Sequence, residues 1–90
     1  MDEILFVFDR TGEAIAAEQT LLAAGLAIRV MSLPSAIQAG CGICLRVPKA
    51  QVRQAQALLL GQRLSACALY VRILGEKGNS TYIPYREENP

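Results

Sequence analysis

The sequence predicts an α+β fold: a four-stranded antiparallel sheet with two helices on one face, in the order βαββαβ. Three observations carry this. Short apolar or alternating runs recur at Ile4–Phe8, Ala27–Met31, Gly42–Val47 and Cys67–Leu74. Stretches of helical period lie between the first and second runs and between the third and fourth. Glycine, proline and small polar residues punctuate the junctions. This is the split-βαβ, or ferredoxin-like, arrangement. Right-handed crossovers then place both helices on one face of a sheet ordered 4-1-3-2.

Each element has its own justification. Ile4-Leu5-Phe6-Val7-Phe8 is wholly apolar, as a buried central strand should be. Asp9-Arg10-Thr11-Gly12 breaks it, and Thr11 is the expected N-cap, with Glu13 in a first turn that favours negative charge. Ala14, Ala17, Leu21 and Ala24 form the inner stripe of helix one, and Gly25 is its expected stop. In the second strand Ile28 and Val30 share one face and Arg29 takes the other. Ser32–Gly40 reads as a loop with room for one helical turn around Pro34. In the third strand Ile43, Leu45 and Val47 face the helices, while Cys44 and Arg46 face the uncovered side. Pro48 opens helix two, with Val52, Ala55, Leu58 and Leu59 inward and Gly61 near its end. The expected domain spans residues 1–75, and residues 76–90 form a tail in which Tyr82-Ile83-Pro84-Tyr85 is suited only to a short edge segment.

Composition removes several functions. Ninety residues make one domain, and so short a chain buries only about 60–65% of its unfolded surface. The 52% hydrophobic content suits a compact core, or a core plus an interface. A net charge of +1, with Lys and Arg scattered, leaves no footprint for nucleic acid. The acidic start Met1-Asp2-Glu3 is unlike a secretory signal, and no apolar run reaches the ~20 residues a membrane helix needs, so a cytoplasmic protein without membrane contact is expected. With no histidine there is no imidazole base, Ser-His or Cys-His pair, or His metal ligand.

Three cysteines remain, an odd number in a chain expected in a reducing compartment, so no complete disulfide framework forms. The topology puts Cys41 beside the start of helix one. There Arg10 and the free backbone N–H groups at Thr11 and Gly12 would favour a thiolate, while Gly40 and Gly42 leave the thiol uncrowded. The loop's own Ser35, Ala39 and Gly40 bring no charge, so helix one supplies the anion stabilisation. Cys41-Gly42-Ile43-Cys44 is formally a C-x-x-C, but it enters a strand, where positions three apart are separated by roughly 10 Å. A disulfide needs Cα atoms within about 7 Å, so Cys44 acts as a resolving thiol only if Gly42 allows a turn. Otherwise Cys44 keeps a pKa near its usual value. Cys67, inside an apolar strand, reads as a small core hydrophobe. Metal binding would need a fourth ligand from outside these thiols, so none is assigned.

Several stretches resemble a family of small bacterial selenium/sulfur carrier-like proteins. Phe8-Asp9-Arg10-Thr11-Gly12-Glu13-Ala14 with Ala17-Glu18 is similar to its strand-to-helix segment, and Ala24-Gly25-Leu26-Ala27-Ile28-Arg29-Val30 to its helix end and second strand. Cys41-Gly42-Ile43, followed by Leu45-Arg46, looks like its Cys-Gly segment. The resemblance implies that Cys41 accepts sulfur or selenium as a persulfide or perselenide. It also implies a cysteine desulfurase or other chalcogen donor, an acceptor protein, no cofactor, and transfer rather than turnover.

Two readings follow. In one, Cys41 carries a chalcogen atom. In the other, the chain is a non-catalytic interaction or dimerisation module that buries its open sheet face in a homodimer, with Arg29 and Arg46 at the contact.

Overall fold

The computed structural model describes residues 3–37, 40–75 and 78–85. Met1 and Asp2, Gln38 and Ala39 of the loop, Glu76 and Lys77 of the expected turn, and residues 86–90 lie outside that description. The elements are β1 (Glu3–Val7), α1 (Thr11–Ala23), β2 (Arg29–Ser32), β3 (Ile43–Pro48), a 3-10 turn (Lys49–Gln51), α2 (Val52–Gly61), β4 (Ala68–Leu74) and β5 (Ser80–Pro84). They form a five-stranded sheet, β2-β3-β1-β4-β5, with every neighbouring pair antiparallel. The expected four-strand order is present, but the sheet has a fifth strand. Ser80–Pro84 pairs along β4, and Pro84 is tolerated there because an edge strand has one unpaired side.

The apolar stripes meet on one face of β1. Ile4, Phe6 and Phe8 pack with Ala14, Ala17 and Leu21 of α1, Val52, Ala55 and Leu59 of α2, and Leu45 and Val47 of β3. Several boundaries differ from expectation, and Pro48 does not open helix two: it ends β3, and the 3-10 turn carries the chain to the start of α2 at Val52. Thr11 is not the cap but the first helical residue. Arg10 caps α1 with an extended backbone (φ −127°, ψ 141°) and no side-chain hydrogen bond, because the chain leaves β1 still extended. Ala24 is the exposed C-cap rather than part of the inner stripe. After it, Gly25 at φ +86° closes α1, with its N–H donating to Leu22 O and the Leu26 N–H to Leu21 O. At the end of α2 the left-handed position falls to Arg63 (φ +59°), and Gly61 remains helical.

The other face of the sheet is not open along its length. Leu5, Val7, Cys44 and Ile37 are buried there, ringed by Met31, Leu33, Ala68, Tyr70 and Tyr82. The loop after β2 makes a single turn, closed by the Ile37 N–H donating to Pro34 O at 2.9 Å, and this lays Ile37 on Leu5, Val7 and Cys44. Cys44 does face away from the helices, as strand parity dictates. Its surroundings are nonetheless dry, because an apolar side chain from the loop removes water more favourably than leaving three apolar residues wet. The far end of this face is ionic: Glu3 holds Arg46 at 2.8 Å and Arg72 at 3.6 Å. Arg46 is therefore engaged within the chain, whereas Arg29, level with it on β2, is exposed.

Replacing Ile37 with alanine removes the lid of this second cluster. We expect a loss of about 2–4 kcal/mol in urea unfolding. A change below half a kcal/mol would mean that the loop does not cover the face.

Candidate functional site

The thiols gather where β1 ends. Two residues with left-handed backbone, Gly40 (φ +88°) and Gly42 (φ +95°), flank Cys41 and fold the chain back into β3. Their roles differ. A side chain at Gly40 would run into Val7 Cγ1 and come within 3.0 Å of the Phe8 carbonyl oxygen, so this glycine is the point where the loop rests on β1. Gly42 has open space around it and instead anchors the loop through its carbonyl, which accepts the Leu33 N–H at 2.9 Å. Between them Cys41 is half-buried. It packs against the helix-side core, and its thiol donates to Ile43 O at 3.7 Å.

The three thiols occupy three environments. Cys44 is fully buried, and its pKa is not near the ordinary value: burial first, and then the neighbouring Cys41 charge, push it up to about 11. Cys67 is the larger departure from expectation. It is exposed rather than a core residue, because β4 starts one residue later, at Ala68. Its N–H still donates to Val7 O at 2.8 Å, which holds it against the end of β1 on the side away from the Cys41 loop. Partial desolvation raises the Cys67 pKa, followed by a hydrogen bond to Asp9 and the Asp9 charge. A backbone hydrogen bond opposes them, and Cys41 adds a smaller upward push.

Arg10, Thr11 and Gly12 are exposed and form the start of α1, just beyond the Phe8 carbonyl on which Gly40 rests. The first α1 hydrogen bond is Ala14 N–H to Arg10 O at 3.1 Å, which leaves the N–H groups of Thr11, Gly12 and Glu13 without helical acceptors. Cys41, Cys67, Asp9 and this helix start thus share one end of the sheet. Among the described residues, no group of three or more His, Cys, Asp or Glu side chains is arranged to hold a metal ion. Sequence reasoning missed Cys67 and Asp9 as a pair. The available signal was Cys67's place at the very start of a strand, where alternation no longer enforces burial. Also among the described residues, no helix is long and apolar enough to cross a membrane.

Comparison with known proteins bears on the same stretch. The model of a family described as "Putative Se/S carrier protein-like" matches residues 3–71, from β1 into β4 and through Cys41, Cys44 and Cys67. The chain is also 40% identical over 45 residues to the uncharacterized protein YtiA of Escherichia coli strain K12. That match takes in 50% of this chain and 53% of the relative, so the chain spans about half the length of the curated relative it matches. No solved structure matches.

Two measurements check this geometry. Gly40→Ala meets both the left-handed backbone and the Val7 and Phe8 contacts, whereas Gly42→Ala meets only the backbone. Urea unfolding should show a loss of about 1–2 kcal/mol for Gly42→Ala and a clearly larger one for Gly40→Ala. Equal losses would mean that the close approach is absent. The second measurement is pH-dependent. Cys44 titrates higher in the folded protein than in the unfolded chain, so its stabilisation is complete below the unfolded value and is lost as pH rises toward 11. Wild type should lose about 2 kcal/mol more than Cys44→Ala between pH 8 and pH 11. Parallel stability curves would contradict a buried Cys44 thiol.

Proposed function

We propose that this chain, which belongs to the Se/S carrier protein-like family, carries a sulfur or selenium atom on Cys41. The observation that carries the reading is the Gly40-Cys41-Gly42 turn. It holds a half-buried thiol at the end of β1 with no bulky neighbour in the chain on either side, inside the stretch the family match covers. A carrier needs a thiol open enough to attack the outer atom of a donor persulfide. It also needs enough shelter to keep the adduct from stray thiols. The free N–H groups at Thr11 and Gly12, with Arg10 beside them, supply positive potential for the anionic adduct. The glycines at 40 and 42 give the added atom room. A cysteine desulfurase or another persulfide or perselenide enzyme is the donor in this reading, and a second protein is the acceptor. No cofactor is called on. A homodimer through the remaining open part of the sheet, around the exposed Arg29, belongs to the same proposal.

The test is intact mass after incubation with a cysteine desulfurase and cysteine. Wild type should gain the mass of one sulfur atom and lose it on addition of dithiothreitol. Cys41→Ser, shown to be folded by circular dichroism, should load at least about tenfold less. Equal loading of the two proteins would remove Cys41 as the carrier thiol. It would leave the interaction-module reading standing if light scattering also shows a stable dimer.

A further inference from the structure

A cluster of arginines lies at the end of the sheet away from the thiols. Arg29 and Arg46 are register partners on β2 and β3, and Arg46 is in turn the partner of Leu5 on β1. Glu3, on the same side of β1 as Leu5, is the partner of Arg72 on β4. Leu5 belongs to the cluster away from the helices, so all four charged residues stand on that face, across four adjacent strands. Along β1, Glu3 is about 13 Å from Val7, where the thiols gather.

The charges in this row do not balance. Glu3 holds Arg46 Nη2 at 2.8 Å and Arg72 Nη1 at 3.6 Å, one carboxylate oxygen for each guanidinium. One anion thus serves two cations. Arg29 adds a third cation, with no ion pair or hydrogen bond among the described residues. Arg29 and Arg46 are also directly opposite each other, with β-carbons about 5 Å apart, and like charges so placed destabilise a sheet. Arg46 keeps a donor unused as well: its Nε is enclosed, yet makes no hydrogen bond among the described residues. An enclosed donor without an acceptor is costly. The excess of two positive charges, the like-charge pair and the unspent donor all call for a compact acceptor with two negative charges.

We propose that this end of the sheet face is a binding site for a compact dianionic oxyanion of the phosphate class, held between Arg29 and Arg46. A guanidinium fork meets the oxygens of such a group two at a time. Arg29, exposed on the edge strand, closes on the anion from solvent. Arg46, with its side chain 34% exposed, turns its Nε edge toward the anion while Nη2 stays with Glu3. Arg72 remains on the other side of β1 and adds attraction at longer range. Two negative charges bring the cluster to neutrality and offset the repulsion between Arg29 and Arg46. A single carboxylate leaves one positive charge over and fits less well. The site goes beyond the carrier reading, since it uses none of the thiols. A homodimer around Arg29 brings two such clusters together, and an anion in each removes the repulsion between them.

The experiment is an NMR titration of the isotope-labelled protein with sodium phosphate, with ionic strength held constant by sodium chloride. The Arg29 and Arg46 signals should shift and saturate, and sulfate should reproduce the effect. Acetate should bind at least about tenfold more weakly. Arg29→Gln, folded by circular dichroism, should weaken phosphate binding about tenfold or more. Arg63→Gln removes the same charge from an exposed position just after α2 and should leave binding unchanged. Glu3→Gln removes the competitor for Arg46 and should tighten binding several-fold. Equal shifts with chloride alone would mean screening of a charged surface and would overturn the site. Phosphate affinity unchanged in Arg29→Gln, or acetate bound as tightly as phosphate, would overturn it too. No readout here involves persulfide loading, so failure of the anion site leaves the carrier reading of Cys41 as it stands.

Discussion

Gly40 lies so close to Val7 Cγ1 and the Phe8 carbonyl that only a residue without a side chain fits, and its φ of +88° is one that side chains resist. The thiol end of the molecule depends on this contact. It stops the returning chain against the end of the central strand and fixes where Cys41 stands. β3 then starts in register with β1, so Cys44 falls opposite Val7. On the other side of β1 the Cys67 amide is bound to Val7 O. One strand end thus sets the place of all three thiols, although they come from three different parts of the chain.

Burial then makes three identical side chains chemically unlike. Cys44 is enclosed by Leu5, Val7 and Ile37 and behaves as a small apolar residue whose proton is hard to remove. Cys41 is half-enclosed, between the two extremes. Cys67 is exposed, and its proton is tied to Asp9. A thiol reacts as its thiolate, and at Cys67 desolvation and the Asp9 charge disfavour that form despite the exposure.

Most of the fold was legible in the sequence because it rests on periodicity. The inner residues Ala14, Ala17, Leu21, Val52, Ala55 and Leu59 are the ones the helical period selects. Strand parity likewise separated Leu45 and Val47 from Cys44. What periodicity does not encode is what covers a face. Ile37 sits in an irregular loop, so nothing in its spacing announced that it would bury Cys44. The fifth strand was half-hidden for a similar reason, since Pro84 argues against a strand until the strand is known to be an edge. In the site, Gly40 and Gly42 marked the turn around Cys41. Cys67 was misread because an apolar run does not show at which residue pairing begins. Asp9 carried no signal at all, since only the packing of β4 on β1 brings it to a thiol.

The most direct test of this arrangement is residue-resolved alkylation of the native protein at neutral pH, with and without urea. The arrangement predicts that Cys67 and Cys41 are modified in the folded protein, Cys67 being the more accessible, and that Cys44 is modified only as the protein unfolds. Modification of Cys44 at the rate of Cys67 in the folded protein, or protection of Cys67, would contradict it.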